Sequence, residues 1–238
     1  MMNHLVGPLK LTSLPIVVLI ALVVQNTPAN ALDLDVRSNR SNILDFSLQI
    51  EHSKIDFENT ALNLTSNLER IGIISIDVPS KGPHFGLLLG YAFTDFSQNS
   101  SYETLGMDGY YIGVSVRGYL PIRDALSLSL HGHYVYQSVD GKDDQRSASL
   151  SWDEFSATAL LEYSINDIGI IFVGANAGVI EARYRESSAT NSSVDLDNEN
   201  DQGAIVGFSY EINRLEHFSI SYQQAVKKGV LLRFRKLF

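Results

Sequence analysis

Apolar and polar residues alternate with a period of two along most of the chain from Ile43 to the end. That is the period of a β-strand, whose successive side chains point to opposite faces of a sheet. Clusters of turn-forming residues interrupt the alternation at intervals, so the pattern predicts ten strands joined by turns and loops. The predicted strands span residues 43–57, 67–78, 84–96, 108–120, 125–138, 150–165, 168–185, 203–213, 217–225 and 229–238.

The apolar faces of the first, second and fifth predicted strands consist of Leu44, Phe46, Leu48 and Ile50; Ile74, Ile76 and Val78; and Leu126, Leu128 and Leu130. In the first strand, His52 and Lys54 break the alternation, which predicts either a bulge or an exit from a membrane. In the fifth strand the opposite face carries serines and histidines. Such strands have one apolar and one polar face throughout.

The predicted connections alternate in length. The long, polar ones are residues 58–66, 97–106, 139–147 and 186–201, and the short ones are 79–83, 121–124, 165–168 and 213–216. Residues 186–201 form the longest stretch without predicted structure. The tight turn at 227–229 is an exception: it is short, although the alternation places it at the same end of the barrel as the long connections. An even strand number places both termini on one side. Ten strands fit best, and eight is the alternative if the first or second strand is misassigned or the last two are one.

Period two alone does not say which face is inside, so a secreted or periplasmic soluble β-protein is the alternative to a membrane barrel. The face opposite the apolar one consists mostly of Ser, Thr, Gly, Gln and ionisable residues, which suit a wet lumen. Aromatic residues lie near predicted strand ends, as in interfacial girdles, namely Tyr91, Phe93, Tyr110, Tyr134, Tyr136, Tyr163, Tyr210 and Tyr222. The pattern therefore favours an all-β fold, a closed antiparallel up-and-down transmembrane β-barrel.

The last strand has one apolar and one charged face, and the chain ends on an aromatic residue. This strand resembles the closing strand of bacterial outer-membrane β-barrels. In that family the C-terminal aromatic residue is part of the signal read by the insertion machinery. The residues that carry the resemblance are Val230, Leu232, Phe234 and Phe238. By architecture, most of the chain after residue 31 resembles the small opacity/OmpA-type barrels of Gram-negative bacteria. The resemblance implies contact with outer-membrane lipids and lipopolysaccharide, and with the insertion machinery through the last strand.

The N-terminus carries a separate signal. Lys10 precedes an unbroken apolar run at 14–24, and Ala29 and Ala31 form a small-x-small pattern. This order predicts a cleaved secretory signal peptide over 1–31. A transmembrane anchor is the alternative, but the run falls short of the roughly 20 residues that span a bilayer. We therefore expect a periplasmic segment over 32–42, a barrel domain over 43–238, and export to the outer membrane.

Composition narrows the partners. The formal net charge is −9, which argues against a nucleic-acid partner, because phosphates require a basic surface. The chain has no cysteine, so an exported form is not stabilised by disulfides. The sequence does not determine the oligomeric state.

Ionisable side chains on the predicted inward face are Arg117, His131, His133, Glu162, Glu211, Arg233 and Arg235. Opposite charges in a narrow lumen usually pair and block it, with Glu162 and Glu211 as acidic candidates for Arg233 and Arg235. We therefore predict a plugged lumen, with a small ion-conducting pore as the alternative.

Two patterns raise the question of chemistry. Ser129, His131, His133 and Glu162 lie on inward faces of neighbouring strands, where a hydroxyl, a base and an orienting acid can support acyl transfer. The set resembles that of lipid A deacylase barrels, although its Ser–His order is reversed and the flanking Asn motif is absent. A structural lumen network is the favoured interpretation.

The run 195–201 is similar to a calcium loop, but Asn200 stands where that loop requires glycine. A solvated acidic loop is therefore expected, with no metal and no cofactor. The sequence as a whole predicts a non-enzymatic outer-membrane barrel with a structural or surface-interaction role. A small pore is the first alternative, and an outer-membrane enzyme acting on lipid A is the second.

Overall fold

The computed structural model describes residues 42–58, 63–79, 83–96, 105–143, 146–165, 169–187, 192–198, 201–213 and 215–238. The predicted signal peptide, and all of the predicted periplasmic segment except Asn42, lie outside these residues. The strands are β1 Asn42–Glu58, β2 Asn63–Pro79, β3 His84–Phe96, β4 Met107–Arg123, β5 Leu126–Lys142, β6 Ser147–Ile165, β7 Gly169–Ser187, β8 Ser192–Asn198, β9 Gln202–Asn213, β10 Glu216–Gln224 and β11 Lys228–Leu237.

Ten of these strands form a closed antiparallel barrel. Each strand pairs with its neighbour in the order β1 to β7, then β9, β10 and β11, and β11 pairs with β1 from Asp45↔Leu237 to Lys54↔Lys228. The predicted ten-stranded up-and-down barrel is therefore confirmed. Both ends of the barrel domain lie at the rim with the short turns, called the lower rim here; the other is the upper rim. No helix among the described residues is long and apolar enough to cross a bilayer.

The additional strand, β8, corrects the prediction that residues 186–201 lack structure. It pairs with β7 on one side, from Glu186↔Ser192 to Glu181↔Asp197, and with the end of β1 on the other, at Phe57↔Asn198. Its residues alternate, and Leu196 is buried while Asp195 and Asp197 are exposed. Lower down, β9 replaces β8 as the neighbour of β7, beginning at Ala177↔Gln202. Thus ten strands close the lower part of the barrel, and β1 to β8 close the upper part.

A band of exposed apolar side chains surrounds the lower part of the barrel, and we call it the outer belt. Phe85, Leu87 and Leu89 on β3 are 62%, 66% and 60% exposed. The belt comprises these and Leu44, Phe46, Leu48, Ile50, Ile71, Ile73, Tyr91, Phe93, Tyr110, Ile112, Val114, Phe155, Leu161, Tyr163, Ile171, Val173, Val206, Tyr210, Ile212, Phe218, Ile220, Tyr222, Val230 and Phe234. At the same height Asp45 and Ser47 point inward and are buried. Polar inside and apolar outside is the arrangement of a membrane barrel.

In the second strand, the isoleucines that the sequence predicts for the apolar outer face point inward. Ile74, which is buried, and Ile76 point into the lumen, and Ile71 and Ile73 belong to the outer belt. Isoleucine occurs on both faces of this strand, so alternation alone could not select the outward one. The side chain of Val78 lies outside the described ones.

Above the outer belt the two faces exchange polarity. On β1, His52 and Lys54 point outward, while Ile55 and Phe57 point inward and are fully buried. Pairing of β1 with β2 runs without a register shift from Asn42↔Pro79 to Glu58↔Asn63, so the break at His52 is not a bulge, and it coincides with the end of the outer belt at Ile50. The inward apolar side chains form what we call the upper core, which includes Ile55, Phe57, Leu68, Phe96, Leu105, Met107, Val139, Leu150, Trp152, Ile180, Tyr184, Leu196 and Val226.

Candidate functional site: two polar layers in the lumen

Four charged side chains meet in the lumen beneath the upper core, and we call them the ion cluster: Glu51 from β1, Arg70 from β2, Glu154 from β6 and Lys227 from the β10–β11 turn. Lys227 Nζ lies 2.8 Å from Glu51 Oε1 and 2.8 Å from Glu154 Oε1. Arg70 Nη1 lies 2.9 Å from Glu154 Oε2 and 3.7 Å from Glu51 Oε2. Each side chain is at most 8% exposed. Two cations and two carboxylates therefore balance inside the barrel.

Neutral groups hold Arg70 in place. Its Nε donates to Gln137 Oε1 at 2.6 Å, and its guanidinium carbon lies 5.1 Å from the ring centre of Tyr111 and 5.5 Å from that of Trp152. Arg70 therefore lies within cation–π distance of two aromatic rings, both of which are almost fully buried. Such contacts favour a guanidinium over an ammonium at this position.

Two glycines make room for the ring of Tyr111. A Cβ built on Gly72 would lie 1.9 Å from the tyrosine hydroxyl, and one built on Gly90 would lie 2.6 Å from the ring. The ring can therefore lie flat against the wall only because these positions have no side chain. Gln49 Nε2 donates to the tyrosine hydroxyl at 3.2 Å, which connects the ring to β1.

The β10–β11 turn is drawn into the barrel. Ala225, Val226 and Lys227 are all buried, although a hairpin turn usually lies at the surface. The turn lies slightly earlier than the predicted 227–229, because Lys228 and Gly229 already pair with β1. Val226 joins the upper core and Lys227 joins the ion cluster, which explains why this connection is short despite lying on the side of the long ones.

A second layer of polar side chains, which we call the lower layer, lies below the ion cluster. It surrounds a cavity of about 120 Å³. Polar side chains that line it include Arg117, His131, His133, Ser156, Asn176 and Arg233. Arg117 Nη2 lies 3.8 Å from Glu162 Oε1, and Arg235 Nε lies 2.6 Å from Asp45 Oδ2. Of the predicted lumen residues, therefore, Arg117 and Glu162 are brought together, and His131, His133 and Arg233 line one cavity.

Glu211, one of the two acidic residues predicted to pair with the arginines of the last strand, does not pair with Arg235. Glu211 lies half-buried near the lower rim, and Arg235 pairs with Asp45 instead of Glu211. The reason is closure of the barrel. Because β11 neighbours β1, Arg235 is opposite Ser47 and diagonal to Asp45 on the same inner face. The outward residues Val230, Phe234 and Phe238 are exposed and Leu232 is half-buried.

The predicted acyl-transfer set is not joined by hydrogen bonds. Ser129 Oγ and His131 Nε2 are buried without a hydrogen-bond partner, and Glu162 faces Arg117. A different combination is in contact: Ser156 Oγ lies 3.1 Å from both His133 ring nitrogens, and His133 Nε2 lies 3.0 Å from Glu154 Oε1.

This second combination lacks the geometry of a nucleophile and its base. The in-plane lone-pair directions of the two imidazole nitrogens diverge, so an oxygen equidistant from both lies over the ring and not in line with either nitrogen. Glu154 is also committed to the ion cluster, beneath the upper core.

The acidic run begins as a strand. Residues 195–198 belong to β8, and Asp195 Oδ1 accepts a hydrogen bond from Arg183 Nε at 2.8 Å. That hydrogen bond raises the pKa of Arg183, which lies above the outer belt. An extended strand cannot wrap a cation as a calcium loop does. Within the described ranges, no group of three or more His, Asp or Glu side chains is arranged to hold a metal ion.

No protein-family model and no curated protein matches the chain. Three examples of similar solved structures each share 10% identity with the chain. They are the translocator domain of the autotransporter NalP from Neisseria meningitidis (TM-score 0.48, 87% of this chain and 91% of that one), the attachment invasion locus protein Ail of Yersinia pestis (0.40, 84% and 100%) and the outer membrane protease OmpT from Escherichia coli (0.40, 84% and 95%). At these values the likenesses assign no activity to this chain.

Proposed function

We propose that this protein is an outer-membrane β-barrel with a closed lumen, whose upper part rises above the bilayer and has a structural or surface-interaction role. The observation that carries the proposal is the exchange of polarity along one continuous wall. The outer belt is apolar outside and polar inside, whereas the upper part is polar outside and has an apolar core. A wall of this kind is matched to lipid below and to water above.

The upper part is large enough to present a surface. On β1 the belt ends at Ile50 and the strand continues to Glu58. At about 3.3 Å per residue and a tilt of about 40°, that continuation rises about 20 Å. Because β1 to β8 pair around it and the upper core fills it, the described portion of this part is a hydrogen-bonded and packed extension of the barrel wall.

The surface role is tested by labelling intact cells. The chain contains no cysteine, so Asp195→Cys introduces a single thiol above the belt. A membrane-impermeant maleimide is expected to label it without lysis, and the protein is expected to fractionate with the outer membrane. Labelling only after lysis, or recovery in the soluble periplasmic fraction, would overturn the proposal.

Closure of the lumen supports a non-conducting barrel. The upper core fills one end, and the ion cluster beneath it crosses from β1 and β2 to β6. After reconstitution into a planar bilayer, the protein is expected to give no reproducible conductance steps, with a porin in the same bilayer as the positive control. Steps of constant size would favour the pore.

A non-enzymatic role also has a direct test. Lipid A from cells that express the wild type, His133→Gln or no protein is expected to give the same mass spectrum. A mass loss that depends on His133 would revive the hydrolase alternative.

The contacts with lipid, lipopolysaccharide and the insertion machinery remain part of the proposal. The exposed face of Val230, Phe234 and Phe238 supports them, because it is the part of the last strand that an external partner can reach. Deletion of Phe238 is expected to lower the amount of heat-modifiable, folded protein in the outer membrane. An unchanged amount would mean that Phe238 is not part of a signal for membrane insertion.

A further inference from the structure

We propose that the lower lumen binds one small oxyanion, such as phosphate, sulfate or a short carboxylate, between Arg117, His131 and Arg233. All three side chains line the same cavity. Arg117 and His131 lie directly opposite each other on β4 and β5, and Arg233 belongs to β11, opposite Gln49 of β1. Donors from separate parts of the barrel wall therefore converge on one space.

The charges of this layer do not balance. Three guanidinium groups, those of Arg117, Arg233 and Arg235, share the two carboxylates of Asp45 and Glu162. Asp45 is engaged by Arg235 at 2.6 Å and Glu162 lies 3.8 Å from Arg117. Among the described residues, Arg233 has no carboxylate within 4.0 Å.

Arg233 therefore has an unfavourable environment by itself. Arg117 and Arg235 repel its charge, and the carboxylate that attracts it, that of Asp45, is already paired with Arg235. A buried cation without a close partner is costly. An anion in the cavity would remove that cost, and this is the main physical reason for the proposal.

Unused hydrogen-bond donors point to the same ligand. Arg233 Nε, which always donates, and His131 Nε2, which donates in one of the two imidazole tautomers, are buried without a hydrogen-bond partner. A guanidinium fork matches the spacing of two oxygens on one oxyanion. Glu51 and Glu154 also line the cavity, but Arg70 and Lys227 neutralise them.

The size of the cavity limits the ligand. At about 120 Å³ it is slightly smaller than the cavity of roughly 150 Å³ that admits benzene in another protein. It therefore has room for an ion of four or five heavy atoms and not for a lipid headgroup with its chains. Because the site lies below the closed part of the lumen, it is independent of the proposed surface role.

Calorimetric titration of the folded barrel in detergent tests the site, with phosphate, sulfate and acetate as probes and chloride at equal ionic strength as the reference. We expect saturable binding of about one oxyanion per barrel, weakened about tenfold or more by Arg233→Gln, because charge-assisted hydrogen bonds are lost. Arg183→Gln is the matched control, since it makes the same change of charge on the outer surface. It is expected to bind as the wild type does.

Absence of saturable binding to the wild type would overturn the proposal and would indicate that the cavity holds water alone. Equal weakening by Arg233→Gln and Arg183→Gln would also overturn it, because the anion would then bind by general surface charge. If Arg233→Gln does not fold, His131→Asn replaces it with the same expectation, since it alters a different donor and leaves all three guanidinium groups in place.

Discussion

Lys227→Met tests the ion cluster most severely. The substitution keeps an unbranched side chain that is one atom shorter, and it removes the ammonium that lies 2.8 Å from both Glu51 and Glu154. Arg70 then remains as the one cation of the cluster against two carboxylates that are 7% and 1% exposed. One negative charge is left uncompensated in a buried layer.

Removing one partner of a buried ion pair costs about 3–5 kcal/mol, because the other charge remains desolvated. Lys236 provides the matched control: its Nζ also lies 2.8 Å from a carboxylate, that of Glu216, but the two side chains are 42% and 25% exposed. An exposed pair contributes about 0–1 kcal/mol. Lys227→Met is therefore expected to lower the free energy of unfolding by about 3 kcal/mol more than Lys236→Met.

Equilibrium unfolding by urea in lipid vesicles measures this difference. The chain has one tryptophan, Trp152, which lies beside Arg70 in the upper core, so its emission reports on the layer in question. The double variant Lys227→Met/Glu51→Gln restores the charge balance and is expected to recover part of the loss. Two results would contradict a stabilising role of the ion cluster. The first is that Lys227→Met lowers the free energy of unfolding no more than Lys236→Met does. The second is that the effects of Lys227→Met and Glu51→Gln simply add in the double variant.

Three further predictions concern packing and the belt. Trp152→Ala should lower the free energy of unfolding by about 3–5 kcal/mol, since the ring fills the upper core; a loss below about 1 kcal/mol would mean that this core is loosely packed. Leu87→Lys should cost about 2–4 kcal/mol in lipid vesicles, while Glu181→Lys, above the belt, should cost far less; equal effects would contradict the assigned belt. Gly90→Ala should cost about 1–3 kcal/mol, because its Cβ would meet the Ile71 carbonyl and the Tyr111 ring, whereas Gly106→Ala meets nothing within 4 Å and should be near neutral in the same unfolding assay.

Much of the fold follows from the alternation of residues. A strand in lipid must present apolar groups outward and satisfy its backbone through its neighbours, so period-two segments in an even number imply a closed barrel. The exchange of polarity above the belt was harder to predict. Phe57 continues the same inward face as Glu51 and Ser53, and alternation alone does not report where the solvent changes from lipid to water.

The second strand shows another limit. Its isoleucines occupy both faces, so the apolar pattern was compatible with either face pointing outward. Arg70 shares a face with Ile74, and choosing that face as the outer one would have placed the arginine in lipid. The cost of a charge in lipid was the signal that could have set the phase.

The polar residues around the cavity were partly predicted one by one, but not as a set of contacts, and the four residues of the ion cluster were not among the predicted inward charges. Arg117, His131 and Glu162 lie on polar faces of clear strands. The Arg235–Asp45 pair, however, depends on the closure of β11 against β1, and the position of Lys227 depends on a turn drawn inward beneath β8. Both arise from three-dimensional closure, about which local sequence carries little information.

The most direct test of the central claim, that the apolar face meets lipid while the opposite face lines a lumen, uses three consecutive leucines of β3. Leu87 and Leu89 are 66% and 60% exposed, whereas Leu88 between them is 6% exposed. A spin label would be attached to a single cysteine at each position in turn, and its collision rate with oxygen in a bilayer would be measured. We expect high collision rates with oxygen at positions 87 and 89 and a low rate at position 88. Equal rates at all three positions, or access of a water-soluble nickel chelate to 87 and 89, would contradict this claim.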